Sequence, residues 1–237
     1  MNIVLSGYGR MGRLVEEVAT GRGHTVIGRV DIDNVSDFET LPAADCVLDF
    51  SGPGMLPALA EYVRRTGTAL VCGTTGLKEP DMALLQTLAE YAPVIYSANY
   101  SLGVALFRHL LESLPAFAKE SFDIEILEKH HNKKVDAPSG TAKMLLHTID
   151  PEGEKTVVSG RDGIVGARTK NEIGVMALRG GTVAGEHTVY FFGEDETLEI
   201  THTAASRRIF VAGAVKTAES LCGKEKGWYS LDDILFA

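Results

Sequence analysis

Two imidazoles and two ammonium groups stand within five consecutive positions, His130, His131, Lys133 and Lys134, in a chain of 237 residues with formal net charge -9. A local positive patch in an acidic protein suits a small anionic substrate. Just beyond it, Asp136 to Thr141 reads as a turn entering a helix. Ser139 can cap it, and Ala142, Leu145, Leu146 and Ile149 follow at helical spacing. The first N–H groups of such a helix, at Gly140 and Thr141, lack intrahelical partners and would face the patch. Backbone donors at a helix start, together with lysine ammonium groups, make a site for a carboxylate or phosphate. Two plainer readings compete. The residues could form a solvated basic loop, which the attached helix start argues against. They could ligate a metal, but adjacent histidines diverge and no Cys, Asp or Glu stands at a supporting ligand spacing, so no metal is expected.

The elements that must position this patch come in two groups. Asn2 to Ser6 reads as a buried strand, followed by Gly7-Tyr8-Gly9-Arg10-Met11-Gly12, a G-x-G-x-x-G spacing. A helix follows with Leu14, Val15, Val18 and Ala19 on one face. A second strand, Thr25 to Val30, ends in Asp31, nineteen positions after Gly12. This is the order a dinucleotide site needs, with the acid placed to accept from the adenosine ribose hydroxyls. The alternation continues with strands at Cys46 to Phe50, Ala69 to Cys72 and Val94 to Ser97, and helices at Leu56 to Val63 and Asp81 to Tyr91. Small or polar residues close these strands: Ser51-Gly52, Gly73-Thr74-Thr75 and Asn99-Tyr100-Ser101. Ligands of open parallel sheets lie outside the carboxyl ends of the strands, so these loops should converge on one cofactor. Taken singly, each could be an ordinary βα turn.

After Ser101 the pattern changes. Val104, Phe107, Leu111 and Leu114 mark an amphipathic helix, and Phe122 to Leu127 alternates as a half-exposed strand delivering Glu128 and Lys129 to the patch. Pro151 to Asn171 is polar and glycine-rich, which predicts a long mobile or interface-forming loop. Strand-like runs follow at Ile173 to Leu178, His187 to Phe192 and Thr197 to Thr203, without intervening helices. The expectation is an α/β chain: an N-terminal Rossmann-like parallel-sheet domain (1–101 and 208–237) and an α+β domain with a mixed sheet (102–207). The last helix, Ile209 to Leu221, should pack on the first sheet, and Gly227 to Phe236 reads as a turn and an apolar stretch.

Composition excludes other classes. With 45% hydrophobic and 23% charged residues the chain is an ordinary globular protein. Its acidity argues against nucleic acid or an anionic membrane as partner. Three widely spaced cysteines, Cys46, Cys72 and Cys222, suggest a reduced, cytoplasmic setting. Ile3 to Leu5 is stopped at once by Ser6-Gly7, so no signal-peptide core is expected. No apolar run approaches the ~18 residues of a membrane span.

These motifs together resemble the 4-hydroxy-tetrahydrodipicolinate (dihydrodipicolinate) reductase family of the diaminopimelate route to lysine. The resemblance runs through the glycine loop with its Arg-Met-Gly, Asp49-Phe50-Ser51, GTTG from Gly73 and ANYSLGV from Ala98. It continues in EKHHNKKVDAPSGTA from Glu128, RGGTVAGEH from Arg179 and ITHTAASRRIF from Ile200. It implies that His130 is the proton donor, that Lys134 is the second catalytic residue, and that His131, Ser139, Gly140 and Thr141 contact a substrate carboxylate. It also implies nicotinamide dinucleotide contacts from Gly7, Tyr8, Gly9, Arg10, Met11, Gly12, Asp31, Gly73, Thr74, Thr75, Ser97, Ala98, Asn99 and Tyr100, with Arg207 at a hinge near the cofactor. The substrate would be a small dianionic cyclic imine and the protein a homotetramer assembled through its second domains.

Two departures from the family pattern matter. Many members have an extra residue in the glycine loop, and many have a basic residue where Ile32 stands. A carboxylate at Asp31 without a neighbouring cation should repel a 2'-phosphate, so NADH is expected in preference to NADPH. Reducing a double bond conjugated to an imine requires a hydride and an acid, and histidine suits the acid role near neutrality. Two domains joined by a hinge imply closure that excludes water. Rival readings are another dehydrogenase of the same architecture, or a non-catalytic NAD(H)-binding redox sensor, which would need only the first domain.

Overall fold

Alternate residues of the inner strands of the first sheet enter two separate cores, as strands covered on both faces require. The computed structural model describes residues 1–236. It divides into two compact units, Met1–Leu102 with the segment from Arg208 onward, and Gly103–Arg207. The first unit runs β1 (Asn2–Ser6), α1 (Arg10–Gly21), β2 (Thr25–Val30), α2 (Asp37–Thr40), β3 (Cys46–Asp49), α3 (Leu56–Thr66), β4 (Ala69–Cys72), α4 (Glu79–Thr87) and β5 (Pro93–Tyr96). The second contains α5 (Leu102–Glu112), α6 (Ala116–Ser121), β6 (Asp123–His130), α7 (Gly140–Ile149), β7 (Thr156–Val158), β8 (Glu172–Arg179), β9 (Gly185–Phe192) and β10 (Thr197–Ala204). The chain then returns to the first unit as α8 (Arg208–Leu221), β11 (Gly227–Tyr229) and α9 (Leu231–Leu235).

The first sheet has the order β11-β5-β4-β3-β1-β2 and every pairing is parallel. Ile3, Leu5, Cys46, Leu48, Ala69, Val71 and Ile95 meet Val15, Val18 and Ala19 of α1 and Val211, Ala214, Val215 and Ala218 of α8. Val4, Val47, Leu70, Cys72 and Val94 enter the opposite core with Leu56, Leu59 and Val63 of α3 and Leu85 of α4. The expected βα alternation is therefore present, and the last helix packs on this sheet.

The second sheet has the order β10-β9-β6-β8-β7 and is mixed, parallel at β6–β8 and β7–β8 but antiparallel at β6–β9 and β9–β10. One face carries its core. Ile124 and Ile126, Ile173 and Val175, and Val189 and Phe191 pack with Phe107 and Leu111 of α5 and Ala142, Leu145 and Ile149 of α7.

Three expectations are corrected. β6 continues through His130 instead of ending near Leu127, because its pairing with β8 holds to His130↔Arg179. The polar stretch before Asn171 contains β7, and Arg161 and Arg168 tie it down on Glu125 and Glu172. The C-terminal apolar stretch supplies a sixth parallel strand, Trp228 pairing with Val94. α2 and α6 are too short to leave a periodic signal.

Within the first unit, α8 is fastened to the end of α1. Arg22 donates two hydrogen bonds to the Glu219 carboxylate, at 2.8 and 2.7 Å, and His24 Nε2 lies 2.8 Å from it. The Arg22 bonds, aided by His24, outweigh burial and hold Glu219 down at about 2. A carboxyl depressed in the folded state stabilises fully above its unfolded value of about 4.3, and that contribution is lost as pH falls through the folded value. The thermal midpoint should therefore fall between about pH 4.3 and 2, and Glu219→Gln should flatten that part of a thermal-melt series.

Candidate active site

At the far end of β6 the apolar face of the second sheet turns polar. Ile124 and Ile126 are followed in the same row by Glu128 and His130, with Arg179 alongside on β8 and His187 on β9. Glu128 is 0% exposed. Its carboxylate accepts from Arg179 Nη1 and Nη2 at 2.8 Å each, from the Ser139 N–H at 3.0 Å and from His130 Nδ1 at 2.5 Å. Burial alone would raise its pKa, but Arg179, His130 and the Ser139 N–H together bring it below the ordinary carboxyl range. An ionised carboxylate only accepts, so Nδ1 carries the proton and Nε2 is the working nitrogen of His130. A Cβ at Gly185 would lie 3.1 Å from that nitrogen, so the glycine keeps its flank clear.

Ser139 caps α7 as the sequence predicts, its Oγ accepting from the Ala142 N–H at 3.1 Å. The same hydroxyl lies 2.9 Å from His187 Nε2, and Ser139 is only 2% exposed. Its side chain is therefore committed internally, and Gly140 begins the helix at the surface. Lys134 stands on the turn after β6, its ammonium 2.7 Å from Asp136, while Lys133 is exposed. Burial, with the positive charges of Arg207, His130, Lys134 and Arg179, favours neutral His131. Thus His130, His131, Lys134, Ser139, Gly140 and Thr141 are brought together, and Arg207 joins them through His131.

In the first unit the glycine turn leaves no room for side chains at two of its positions. Gly7 has φ +84°, and a Cβ there would fall 2.6 Å from Ser51 Cα; one at Gly12 would fall 2.0 Å from the Gly7 carbonyl oxygen. Gly9 caps α1 with no side-chain hydrogen bond, and nothing stands within 4 Å of where its Cβ would be. The first N–H groups of α1, from Arg10, Met11 and Gly12, thus meet no capping side chain, which fits a dinucleotide pyrophosphate. Asp31 Oδ2 accepts from the Tyr8 N–H at 3.0 Å and holds the turn to the end of β2.

Other expected cofactor residues divide by burial. Thr75 and Ala98 are exposed, Gly73, Ser97 and Asn99 half-buried. Tyr100 is 1% exposed, its hydroxyl donating to Cys72 O at 2.8 Å, so only its backbone could meet a ligand. Thr74 is buried and donates to Asp49 at 2.7 Å.

Sequence reasoning missed several supporting groups. Glu128 was only the end of a strand there, although its place in an apolar row was visible. Buried Asp49 accepts from Thr74, Ser51 and Cys72 beneath the strand ends. Tyr8 is hydrogen-bonded to Glu16, which also pairs with Arg29, and Arg13 lies 5.6 Å from the Tyr8 ring centre. Tyr8, Asp49 and Glu128 each stand in a motif visible in the sequence, but the contacts they make join distant residues and leave no local signal.

A doubly covered parallel sheet with this turn, joined to a unit holding a carboxylate-backed imidazole beside a helix start, defines a dinucleotide-dependent oxidoreductase. Residues 1–100 match the family described as dihydrodipicolinate reductase, N-terminus, and residues 103–235 match dihydrodipicolinate reductase, C-terminus. The chain belongs to the dihydrodipicolinate reductase family. It is 41% identical to a 4-hydroxy-tetrahydrodipicolinate reductase of Exiguobacterium sibiricum, over 99% of this chain and 96% of that one. Identity is 44% to the Campylobacter jejuni protein of that name, over 98% and 97%. A solved dipicolinate-bound dihydrodipicolinate reductase from Paenisporosarcina sp. TG-14 shares the fold at TM-score 0.76 and 20% identity, over 98% of both chains.

His187 makes the second unit sensitive to mild acid. Burial first, then the neighbouring His130, push its titration down to about 4, against an opposing pull from Glu128. Protonation therefore favours the unfolded chain: stability is fully present above about pH 6.5 and falls as pH drops through the folded value. Chemical-denaturation midpoints should decline over that window, and His187→Asn should remove most of the slope.

Proposed function

We propose that this chain reduces 4-hydroxy-tetrahydrodipicolinate to tetrahydrodipicolinate with NAD(P)H, in the diaminopimelate route to lysine, and that His130 delivers the proton. The observation that carries the assignment of the acid is the Glu128–His130 contact, which fixes the Nδ1 proton and leaves Nε2 to react. Bound NAD(P)H supplies the hydride. Protonated His130 gives its Nε2 proton to the carbon that gains negative charge, and the ring returns to the neutral Nδ1–H form against Glu128. Lys134 and the Gly140 and Thr141 amides hold the carboxylates of the cyclic imine, with Asp136 keeping the Lys134 ammonium in place until substrate arrives. Neutral His131 adds a hydrogen bond at the same patch.

The glycine turn from Gly7 to Gly12 takes the pyrophosphate, and Asp31 the adenosine ribose. NADH is preferred over NADPH. The absence of a basic residue at Ile32 supports this, as does the pairing of Arg29 with Glu16, which neutralises the nearest cation on β2. The enzyme works in the cytoplasm as a homotetramer joined through its second units. Exposed Leu178 and Phe192 on the outer sheet face support that assembly. The redox-sensor reading is disfavoured because it needs none of the polar cluster around Glu128.

The decisive assay mixes purified protein with the freshly generated product of the preceding synthase step and follows NADH and NADPH oxidation separately. Turnover with a higher kcat/KM for NADH is expected; tight NADH binding without turnover would restore the sensor reading. His130→Gln should lower kcat by about 100-fold or more while substrate KM changes only a few-fold. Lys134→Ala should damage both constants. Near-normal turnover by His130→Gln would remove it as the acid. Asp31→Ala should narrow the NADH/NADPH ratio, and an unchanged ratio would remove Asp31 as the reader of the ribose.

A further inference from the structure

We propose that Glu128 is a positioning residue that ties proton delivery to carboxylate binding, one buried carboxylate setting both the charge state of His130 and the start of α7. The proposal rests on the reading of His130 as the proton donor. Arg179 alone would satisfy a structural ion pair, since its two nitrogens already meet both carboxylate oxygens. The remaining lone pairs go to His130 and to the Ser139 N–H, the two points that orient the acid and the anion-binding helix. Glu128 also stands in a row whose preceding members, Ile124 and Ile126, are apolar. Packing there favours a hydrocarbon side chain, so the carboxylate is retained against the cost of taking its charge out of water.

The charge balance matters as much as the geometry. Arg179 and His130 share one oxygen of Glu128, at 2.8 and 2.5 Å, so the guanidinium and the imidazole draw on the same carboxylate charge. The other charged or titratable groups around the ring are His187 from β9, packed edge-on with centroids 5.1 Å apart, His131 next in sequence, and Lys134 with its partner Asp136 on the following turn. Arg179 also donates to the Asp136 backbone carbonyl at 2.7 Å, so the turn carrying Lys134 is held by the same guanidinium.

Opposite charge changes give opposite readouts. Glu128→Gln should move the basic limb of the kcat/KM profile down by about one pH unit, the size expected when a contacting opposite charge is removed. It should also raise substrate KM through the loosened helix start. Arg179→Gln should move the same limb up. In [15N]histidine-labelled protein, with the His130 signal identified by its loss in His130→Gln, the His130 titration midpoint should move in the same two directions. If neither variant moves that midpoint and only thermal stability changes, Glu128 is merely structural and the proposal is overturned. If the midpoints move as stated but His130→Gln turns over normally, control of His130 by Glu128 stands and the assignment of the acid falls. Should Glu128→Gln fail to fold, the direction of the Arg179→Gln shift decides alone: upward supports the proposal, and no shift overturns it.

Discussion

A carboxylate inside the apolar face of a sheet must find donors, and Glu128 finds them on three separate pieces of chain. Arg179 comes from the neighbouring parallel strand, the Ser139 N–H from the segment entering α7, and His130 from two residues further along β6. Losing one partner of such a buried pair leaves an uncompensated charge, at roughly 3–5 kcal/mol. That penalty makes the local geometry close to all-or-none. The register of β6 against β8, the docking of α7 and the orientation of the imidazole are then satisfied together or not at all.

The first unit uses a different device. The turn from Gly7 to Gly12 packs so closely on Ser51 and on itself that the constraint falls on where a side chain must be absent. Asp31 holds that turn, one of its oxygens accepting from the Tyr8 N–H. Beneath the strand ends, Asp49 gathers Ser51, Thr74 and Cys72, joining the loops after β3 and β4. Rigid placement of loop backbone thus depends on a buried acid in this unit too, here satisfied by neutral donors instead of an arginine.

Much of this was legible in the sequence because it is local. Strand, glycine turn, helix and acid follow one another within thirty-one residues, and Ser139 precedes its helix directly. The two-faced burial of β1 and β3 to β5 shows as short continuous apolar runs. What escaped was non-local. β11 completes a sheet begun more than two hundred positions earlier, and three residues of strand signal cannot announce that. Glu128 and Arg179 are 51 positions apart, and Tyr8, Glu16 and Arg29 meet only because α1 packs beside β2. Tyr100 shows another limit: its place after a strand end is visible, but not that its ring and hydroxyl belong to the core.

The return of α8 and β11 to the first unit has a consequence for synthesis. The helix contributes Val211, Ala214, Val215 and Ala218 to a core whose strands lie more than a hundred residues earlier in the chain. The nascent first unit therefore emerges with part of one sheet face, beside α1, and one edge uncovered, and stays so while the ribosome makes the second unit. All strands of the second unit are contiguous in sequence, so it can fold within that interval. The sheet is complete only once α8 and β11, from Arg208 to Tyr229, have left the exit tunnel.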